Sequence, residues 1–406
     1  MKKRQLHYLC IILSFWIFSL YAEGKKTVCL NMIVKDESKV IERCLASVKP
    51  LIDYWVIVDT GSTDGTQDII RKFMSDIPGQ LYERPWVNFE HNRNEALNFA
   101  KHAADYLVFI DADEQFEYMP DFKMPELNKD CYFFNCLYGG TTYHRLLMAN
   151  NHLDWKWIGV LHEYLDCPQA KDNAVFDGVN NRINTDGARS KDPKKYYKDV
   201  EVLTEALKKD PSNARYMFYL AQSYRDAGEM ALALEHYKKR VEMKGFDQEV
   251  FISLYMVALL QESLEMDHGI VTKGYYKAFE YRPTRAEPLF RLANYYRRKA
   301  DYVSAHIVST LGMSLPLSYD SLFVERWIYE WGMQLEVSIS AYWIDKFYEC
   351  KKISEGMLEK KDLPDNVKET VQSNLWWAST KLEEQRNLHV SANNKQPGEV
   401  QIIPSH

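Results

Sequence analysis

The chain has no C-x-x-C pair, no surplus of positive charge and no apolar run of full membrane-spanning length, and each absence removes a class of protein. Its seven cysteines (Cys10, Cys29, Cys44, Cys131, Cys136, Cys167, Cys350) are odd in number and irregular in spacing. Neither a disulfide framework nor a zinc site is indicated, and free thiols on a reducing side fit better. Lys and Arg total 51 against 57 Asp and Glu, a net charge of -6. No global basic field therefore points to nucleic acid as a partner. The N-terminal run Tyr8–Ala22, behind Lys2-Lys3-Arg4, holds 15 residues. It falls short of the about 20 that a spanning helix needs and suits a signal peptide or a short anchor. An uncleaved membrane segment or passage into a secretory pathway is expected from it, with a cytoplasmic enzyme the alternative that the unpaired cysteines favour. What remains, 406 residues with 46% hydrophobic and 27% charged, is ordinary globular material for two or three domains.

From residue 27 the pattern alternates strand and helix. Val28–Val34 reads as a buried strand and Ser38–Val48 as a helix capped by Ser38. Tyr54–Val58 is a second strand, and a helix follows from near Thr63–Asp64. Gln80–Trp86, Asn92–Ala103 and Asp105–Asp113 continue as strand, helix and strand. Such alternation predicts βαβ units and a parallel sheet, whose ligands bind outside the carboxyl ends of the strands. Strand-like runs follow at 131–137, 142–148 and 155–163, and the polar stretch 180–195 reads as the domain's end.

Beyond 196 the reading is helical almost to 387. Leu220-Ala221-x-x-Tyr224, Gly228, Ala233 and Tyr237 match the tetratricopeptide spacing. Leu292-Ala293-x-x-Tyr296, Ala300 and Ala305 repeat it 72 residues later, with room for one degenerate repeat between. Small residues at these slots let paired helices approach closely.

Four segments can carry chemistry. Asp111-Ala112-Asp113 ends a buried strand, where period-two alternation puts both carboxylates on one side. Hard oxygen ligands so placed can hold Mn²⁺ or Mg²⁺, a diphosphate supplying further oxygens, or they form a solvated turn. Asp59-Thr60-Gly61-Ser62-Thr63-Asp64-Gly65-Thr66 can cradle a nucleoside or simply cap the next helix. Arg93, near a helix start, can neutralise a phosphate or pair with Glu90 or Glu95. His162 can be a third metal ligand or a structural residue, and Glu163 a base for a hydroxyl or thiol acceptor. Trp155 and Trp157 either stack on a sugar or fill the core.

The order of Asn31-Met32-Ile33-Val34-Lys35-Asp36-Glu37, Val58–Thr66, Arg93-Asn94 and Phe109-Ile110-Asp111-Ala112-Asp113-Glu114 resembles family-2 glycosyltransferases. It is most similar to the subgroup with Gly-x-x-His-Glu (here Gly159–Glu163) and a C-terminal tetratricopeptide domain, the layout of sublancin-type S-glycosyltransferases. The resemblance implies an α/β GT-A nucleotide-diphospho-sugar transferase domain at 27–190, followed by an all-α repeat domain at 196–320. A helical extension at 321–386 and a disordered tail at 387–406 complete the expected layout, with 1–26 as signal or anchor. It also implies donor contacts at Val34, Asp36, Glu37, Asp59, Thr60, Ser62, Asp64, Arg93, Asn94 and Asp111, and a metal–diphosphate at Asp111 and Asp113. Asp113 and Glu163 are the expected catalytic residues, with His162 completing the metal set. Many relatives have Asp-Asp where Asp59-Thr60 stands and Asn-Glu where Asp36-Glu37 stands, which opens the nucleobase. The expected reaction is inverting transfer of a sugar from a nucleotide-diphosphate donor to a protein or glycan acceptor, with the repeats presenting the acceptor or forming a homodimer. A decayed transferase acting as a tetratricopeptide adaptor is the first alternative, and a nucleotidyltransferase on the same fold the second. The latter lacks support in Lys35-Asp36-Glu37-Ser38, which is not the glycine-rich basic loop such enzymes carry.

Overall fold

The computed structural model describes residues 25–393; the apolar run Tyr8–Ala22 and the stretch 394–406 lie outside the described residues. Two compact units form, residues 25–136 with 144–193, and residues 137–143 with 194–393.

The first unit is built on an eight-stranded sheet of order β3-β2-β1-β4-β7-β6-β10-β5. Strands β1 (Val28–Val34), β2 (Tyr54–Asp59), β3 (Gly79–Glu83) and β4 (Tyr106–Phe109) are parallel. Helices α1 (Ile41–Val48), α2 (Thr66–Phe73) and α3 (Phe89–Phe99) lie between them in sequence. Val-Cys-Leu-Asn-Met-Ile-Val and Tyr-Leu-Val-Phe are apolar almost throughout because strands covered on both faces have no solvent side. The polar exception, buried Asn31, donates Nδ2 to the Ala96 carbonyl at 2.8 Å and so ties β1 to α3. Strands β5 (Glu114–Tyr118), β6 (Cys131–Tyr138), β7 (Thr141–Asn150) and β10 (Asn173–Ile183) widen the sheet. β7 runs antiparallel to β4, with Met148 opposite Val108. β8 (Lys156–Ile158) and β9 (Tyr164–Asp166) form a separate two-stranded ribbon.

Several boundaries differ from the sequence reading. Ser38 is no cap: its N–H donates to Asp64 Oδ2 at 2.9 Å, and α1 starts only at Ile41. α3 begins at Phe89, three residues before the expected start, because Asn88 Oδ1 accepts the His91 N–H at 2.8 Å. The run 155–163 breaks after Ile158, where Gly159 turns at φ 119°. β5 and β10, whose polar residues follow no regular alternation, lie outside the strand runs read from the sequence.

The second unit is an array of antiparallel helix pairs after α4 (Lys195–Lys209). The pairs are α5 (Ala214–Asp226) with α6 (Met230–Glu242), α7 (Asp247–Ser263) with α8 (His268–Tyr281), and α9 (Glu287–Arg298) with α10 (Tyr302–Met313). Successive pairs start at 214, 247 and 287, so the degenerate repeat expected between the two matching ones is α7–α8. Ala221, Ala233 and Ala293 are fully buried where helices meet, and Ala305 nearly so. α11 (Met333–Trp343), α12 (Phe347–Leu358) and α13 (Asp365–Asn393) extend the array. The segment 387–393, expected to be disordered, is the end of α13. Among the described residues no helix is long and apolar enough to cross a membrane, and the six described cysteines are buried free thiols.

A buried charge cluster locks this unit. Arg285 and Glu287 are both fully buried and pair at 2.8 and 2.9 Å. Arg285 also donates to Asp320 Oδ2 (3.0 Å) and to the Leu322 and Phe323 carbonyls (3.2 and 2.8 Å), and lies 4.6 Å over the Phe251 ring. Replacing one member strands the other in a medium that cannot solvate it. Arg285→Met is therefore expected to destabilise this unit by about 3–5 kcal/mol, read as a lower urea midpoint of the transition reported by its Trp fluorescence.

Candidate active site

The carboxyl ends of β1 and β2 carry two loops stitched to each other. The Val34 carbonyl accepts both the Thr60 N–H (2.9 Å) and the Thr60 hydroxyl (3.0 Å). Asp59 Oδ1 accepts from the Gly61 and Ser62 N–H groups at 3.0 and 2.8 Å and from Gln67 Nε2 at 3.1 Å. Gly61, at φ 103°, is held in the left-handed region that favours glycine. Asp36, itself at φ 56°, donates its N–H to Ser62 Oγ and accepts the Thr63 N–H at 2.7 Å. Asp64 accepts from Ser38 and from Thr66; partial burial opposes its ionisation, but these hydrogen bonds win and hold its carboxyl down at about 2. Asp36, Ser62 and Asp64 thus spend their polar atoms on the loops. Asp59 does so with Oδ1 alone: it is 1% exposed, and its Oδ2 is buried without a protein partner. A buried acceptor left open is costly unless something fills it.

At the end of β4 two carboxylates diverge. Asp111 faces cations: Arg93 Nη2 donates to Oδ1 at 2.6 Å, and Arg145 Nη1 lies 3.6 Å from Oδ2. Burial would raise its carboxyl, but the charges of Arg93 and Arg145 overcome this and hold it at about 2. Arg93 Nε also donates to Glu163 Oε1 at 2.5 Å, and its guanidinium lies 4.9 Å over the Trp157 ring. Arg145 also reaches buried Glu114, whose Oε2 accepts from Asn181 Nδ2 (2.9 Å) and the Asp111 N–H (3.2 Å). Asp113 faces the other way, and burial with the neighbouring Asp111 charge pushes its carboxyl up.

Asp113 meets a strap, residues 184–191, that returns after β10. Asn184 Nδ2 donates to the Asp113 carbonyl (3.1 Å), and Arg43 grips Asp186 through two bonds of 2.7 and 2.8 Å. The Ala188 N–H points between both Glu37 oxygens, 3.2 Å from each. Gly187 packs so closely that a Cβ would fall 2.8 Å from Asp113 Oδ2, which side chains cannot tolerate. Arg189 then lies 5.0 Å over Phe89, the first residue of α3.

The structure brings Asp36, Glu37, Asp59, Ser62, Asp64, Arg93, Asp111, Asp113 and Glu163 to the carboxyl edge of the parallel strands, Arg93 from α3 and the others from strand ends and loops. Asn94 and His162 differ from their expected use, and Trp157 takes the core reading of its two. Asn94 pairs with the backbone of β8, donating to the Trp157 carbonyl (2.8 Å) and accepting its N–H (2.9 Å). Trp157 is core, stacked edge-on against Phe109 at 5.3 Å. His162 is exposed at φ 52°, and no group of three His, Cys, Asp or Glu among the described residues is placed to hold a metal ion. The expected set of Asp111, Asp113 and His162 therefore does not assemble, because the turn at Gly159 carries His162 outward. Sequence spacing offered no signal for Arg43, Arg145, Asn181 or the strap, which arrive from 31 to 151 residues away in the chain.

Residues 29–124 match the family model described as glycosyl transferase family 2. Over 264 residues the chain is 27% identical to the SPbeta prophage-derived glycosyltransferase SunS of Bacillus subtilis, covering 59% of this chain and 60% of that protein. It is 38% identical over 89 residues to a TPR repeat-containing protein of Synechococcus elongatus, 22% of this chain and 21% of that one. Among solved structures, a tetratricopeptide repeat protein from Parabacteroides merdae is 16% identical with a TM-score of 0.36, covering 51% of this chain and 76% of that one.

Glu37 makes the site's electrostatics measurable. Burial first, and then the Asp113 charge, push its carboxyl up to about 7 against the Ala188 N–H that opposes them. The folded chain then holds a proton that the unfolded chain has released above about 4.5. Its contribution to stability is complete below that value and is lost as pH rises through about 7. Glu37→Gln cannot titrate, so its urea midpoint should gain on the wild type between pH 5 and 8; a constant difference across that range would contradict the assignment.

Proposed function

We propose that the chain is a glycosyltransferase of the family-2 type, moving a sugar from a nucleotide-diphosphate donor to a protein or glycan acceptor by single inverting displacement. The carrying observation is the meeting of Asp111 and Asp113 with the Asp36–Glu37 and Asp59–Asp64 loops at one sheet edge, within the segment that matches the family model. The match to SunS takes in 60% of that protein's length and supports the same reading.

In this reading the nucleoside lies on the β1 and β2 loops, where Asp59 Oδ2 awaits a donor hydrogen. A base or ribose N–H or O–H satisfies it, and discriminates against ligands that leave it unmet. The diphosphate lies toward Asp111 and Asp113. Asp111 and Asp113 diverge in this structure, so they would hold Mn²⁺ or Mg²⁺ as hard oxygen ligands once Asp111, 37% exposed, turns from its arginine partners, with donor oxygens completing the set. When bound, the metal offsets negative charge that develops on the leaving diphosphate. Arg145 and Arg189 add positive charge at the same edge, as the field on Asp111 records. In this reading Glu163 takes the acceptor's proton as the acceptor's oxygen or sulfur bonds to the anomeric carbon and the bond to the phosphate oxygen breaks. Helical repeats suit the presentation of a protein acceptor, and the apolar run Tyr8–Ala22 supports a position at a membrane or in a secretory compartment, with a cytoplasmic enzyme the alternative.

Asp113→Asn is expected to abolish Mn²⁺-dependent binding of nucleotide diphosphates in calorimetric titration while leaving the melting temperature nearly unchanged, since a raised, crowded carboxyl gains nothing for folding from its charge. Unchanged nucleotide binding in the mutant would remove Asp113 from the site.

A further inference from the structure

We propose that Arg93 is a positioning residue that holds Glu163 and Asp111 in register across the site, and is not a ligand of the donor's diphosphate. The inference rests on the glycosyltransferase reading above.

The geometry of the guanidinium carries it. One edge of the fork is spent on Glu163 through Nε (2.5 Å) and another on Asp111 through Nη2 (2.6 Å). Its face rests on Trp157 at 4.9 Å, and Trp157 is itself placed by Asn94, the next residue of the same helix. The plane of the group is thereby set from three directions. Only 12% of the side chain is exposed.

One cation between two carboxylates is already compensated. A diphosphate approaching Arg93 brings further negative charge to a cation that two carboxylates already neutralise, and can take over either of these bonds only by displacing a carboxylate. The two carboxylates differ in what displacement costs them. Glu163 is 8% exposed, so losing Arg93 leaves a desolvated charge. Asp111 is 37% exposed and has Arg145 on its other oxygen, so it can turn away toward a donor. Arg93 therefore keeps Glu163 and yields Asp111. The carboxylate that receives the acceptor's proton is held in place through the same residue that senses whether the donor side is filled. Lysine keeps the charge but has no planar fork to reach both partners in fixed directions.

The test uses the full chain and four variants: R93K, R93Q, E163Q and R93Q/E163Q, the last removing the stranded carboxylate should R93Q alone fail to fold. Calorimetric titration with UDP, GDP, ADP, CDP and dTDP, each in MnCl₂, reads the donor side. Release of nucleotide from the glucose conjugates of those that bind gives kcat and KM. R93K and R93Q/E163Q are expected to bind the nucleotide within about threefold of wild type, while R93K loses about tenfold or more in kcat at an unchanged donor KM. R93Q/E163Q should be no slower than E163Q alone, since the two residues act as one unit. A loss of nucleotide affinity beyond about tenfold in both R93K and R93Q/E163Q, with kcat retained in R93K, would make Arg93 a phosphate ligand and overturn the inference. Failure of the wild type to bind UDP, GDP, ADP, CDP or dTDP in MnCl₂ overturns the glycosyltransferase reading itself, and the inference with it.

Discussion

Compensation of charge at the end of β4 is the constraint on which the first unit depends. Five groups alternate in sign there: Glu163, Arg93, Asp111, Arg145 and Glu114. They come from the loop between β8 and β9, from α3, from the strand end, from β7 and from β5. Two of the three carboxylates are almost wholly buried, and an unpaired carboxylate there would be severely penalised. The pairing therefore acts as a geometric specification more than as a source of stability. Each element must arrive in register for any of the five to be tolerated. Around the chain of charges, Phe109 against Trp157 and the stacked rings of Phe116, Phe134 and Phe176 supply the apolar burial that favours folding.

The other face of the site obeys a different rule, close approach of backbone. Asp113 is covered by a strap whose Gly187 stands where no side chain fits, and whose Ala188 N–H meets Glu37. The loops after β1 and β2 likewise satisfy their own polar groups, apart from one buried oxygen of Asp59. One edge of the sheet thus holds a strongly ionised carboxylate, Asp111, and two whose charging is resisted, Glu37 and Asp113. Pushing neighbouring carboxyls apart in this way is how a site prepares different groups for different roles.

The helical unit uses buried charge for another purpose. Arg285 with Glu287, and Arg240 with Glu249, are buried pairs that also reach backbone carbonyls, Arg285 lying over the Phe251 ring. Small residues let the helices pair, but those contacts are nearly interchangeable from pair to pair. The directional bonds of Arg285 to the Leu322 and Phe323 carbonyls tie down an irregular connection that apolar packing alone would leave in several arrangements.

Sequence alone determined the alternation of buried strands and helices from Val28 to Phe109, the carboxyl-edge placement of Asp59–Thr66 and Asp111–Asp113, and the alanine slots of the repeats. All of these are local: periodicity, cap chemistry and small-residue spacing act over a few residues and survive any tertiary context. Tertiary structure alone decided who partners whom. Arg93, read from its helix as a phosphate ligand or a partner of Glu90, pairs with Glu163 and Asp111, 70 and 18 residues away. Asn94 serves β8, Ser38 caps no helix and instead gives its N–H to Asp64, and His162 is turned outward after Gly159. Arg145 and the strap carry no motif at all. Ion pairs and close backbone approaches depend on distances that only the closed sheet brings to a few ångströms, and a linear pattern holds no record of those distances.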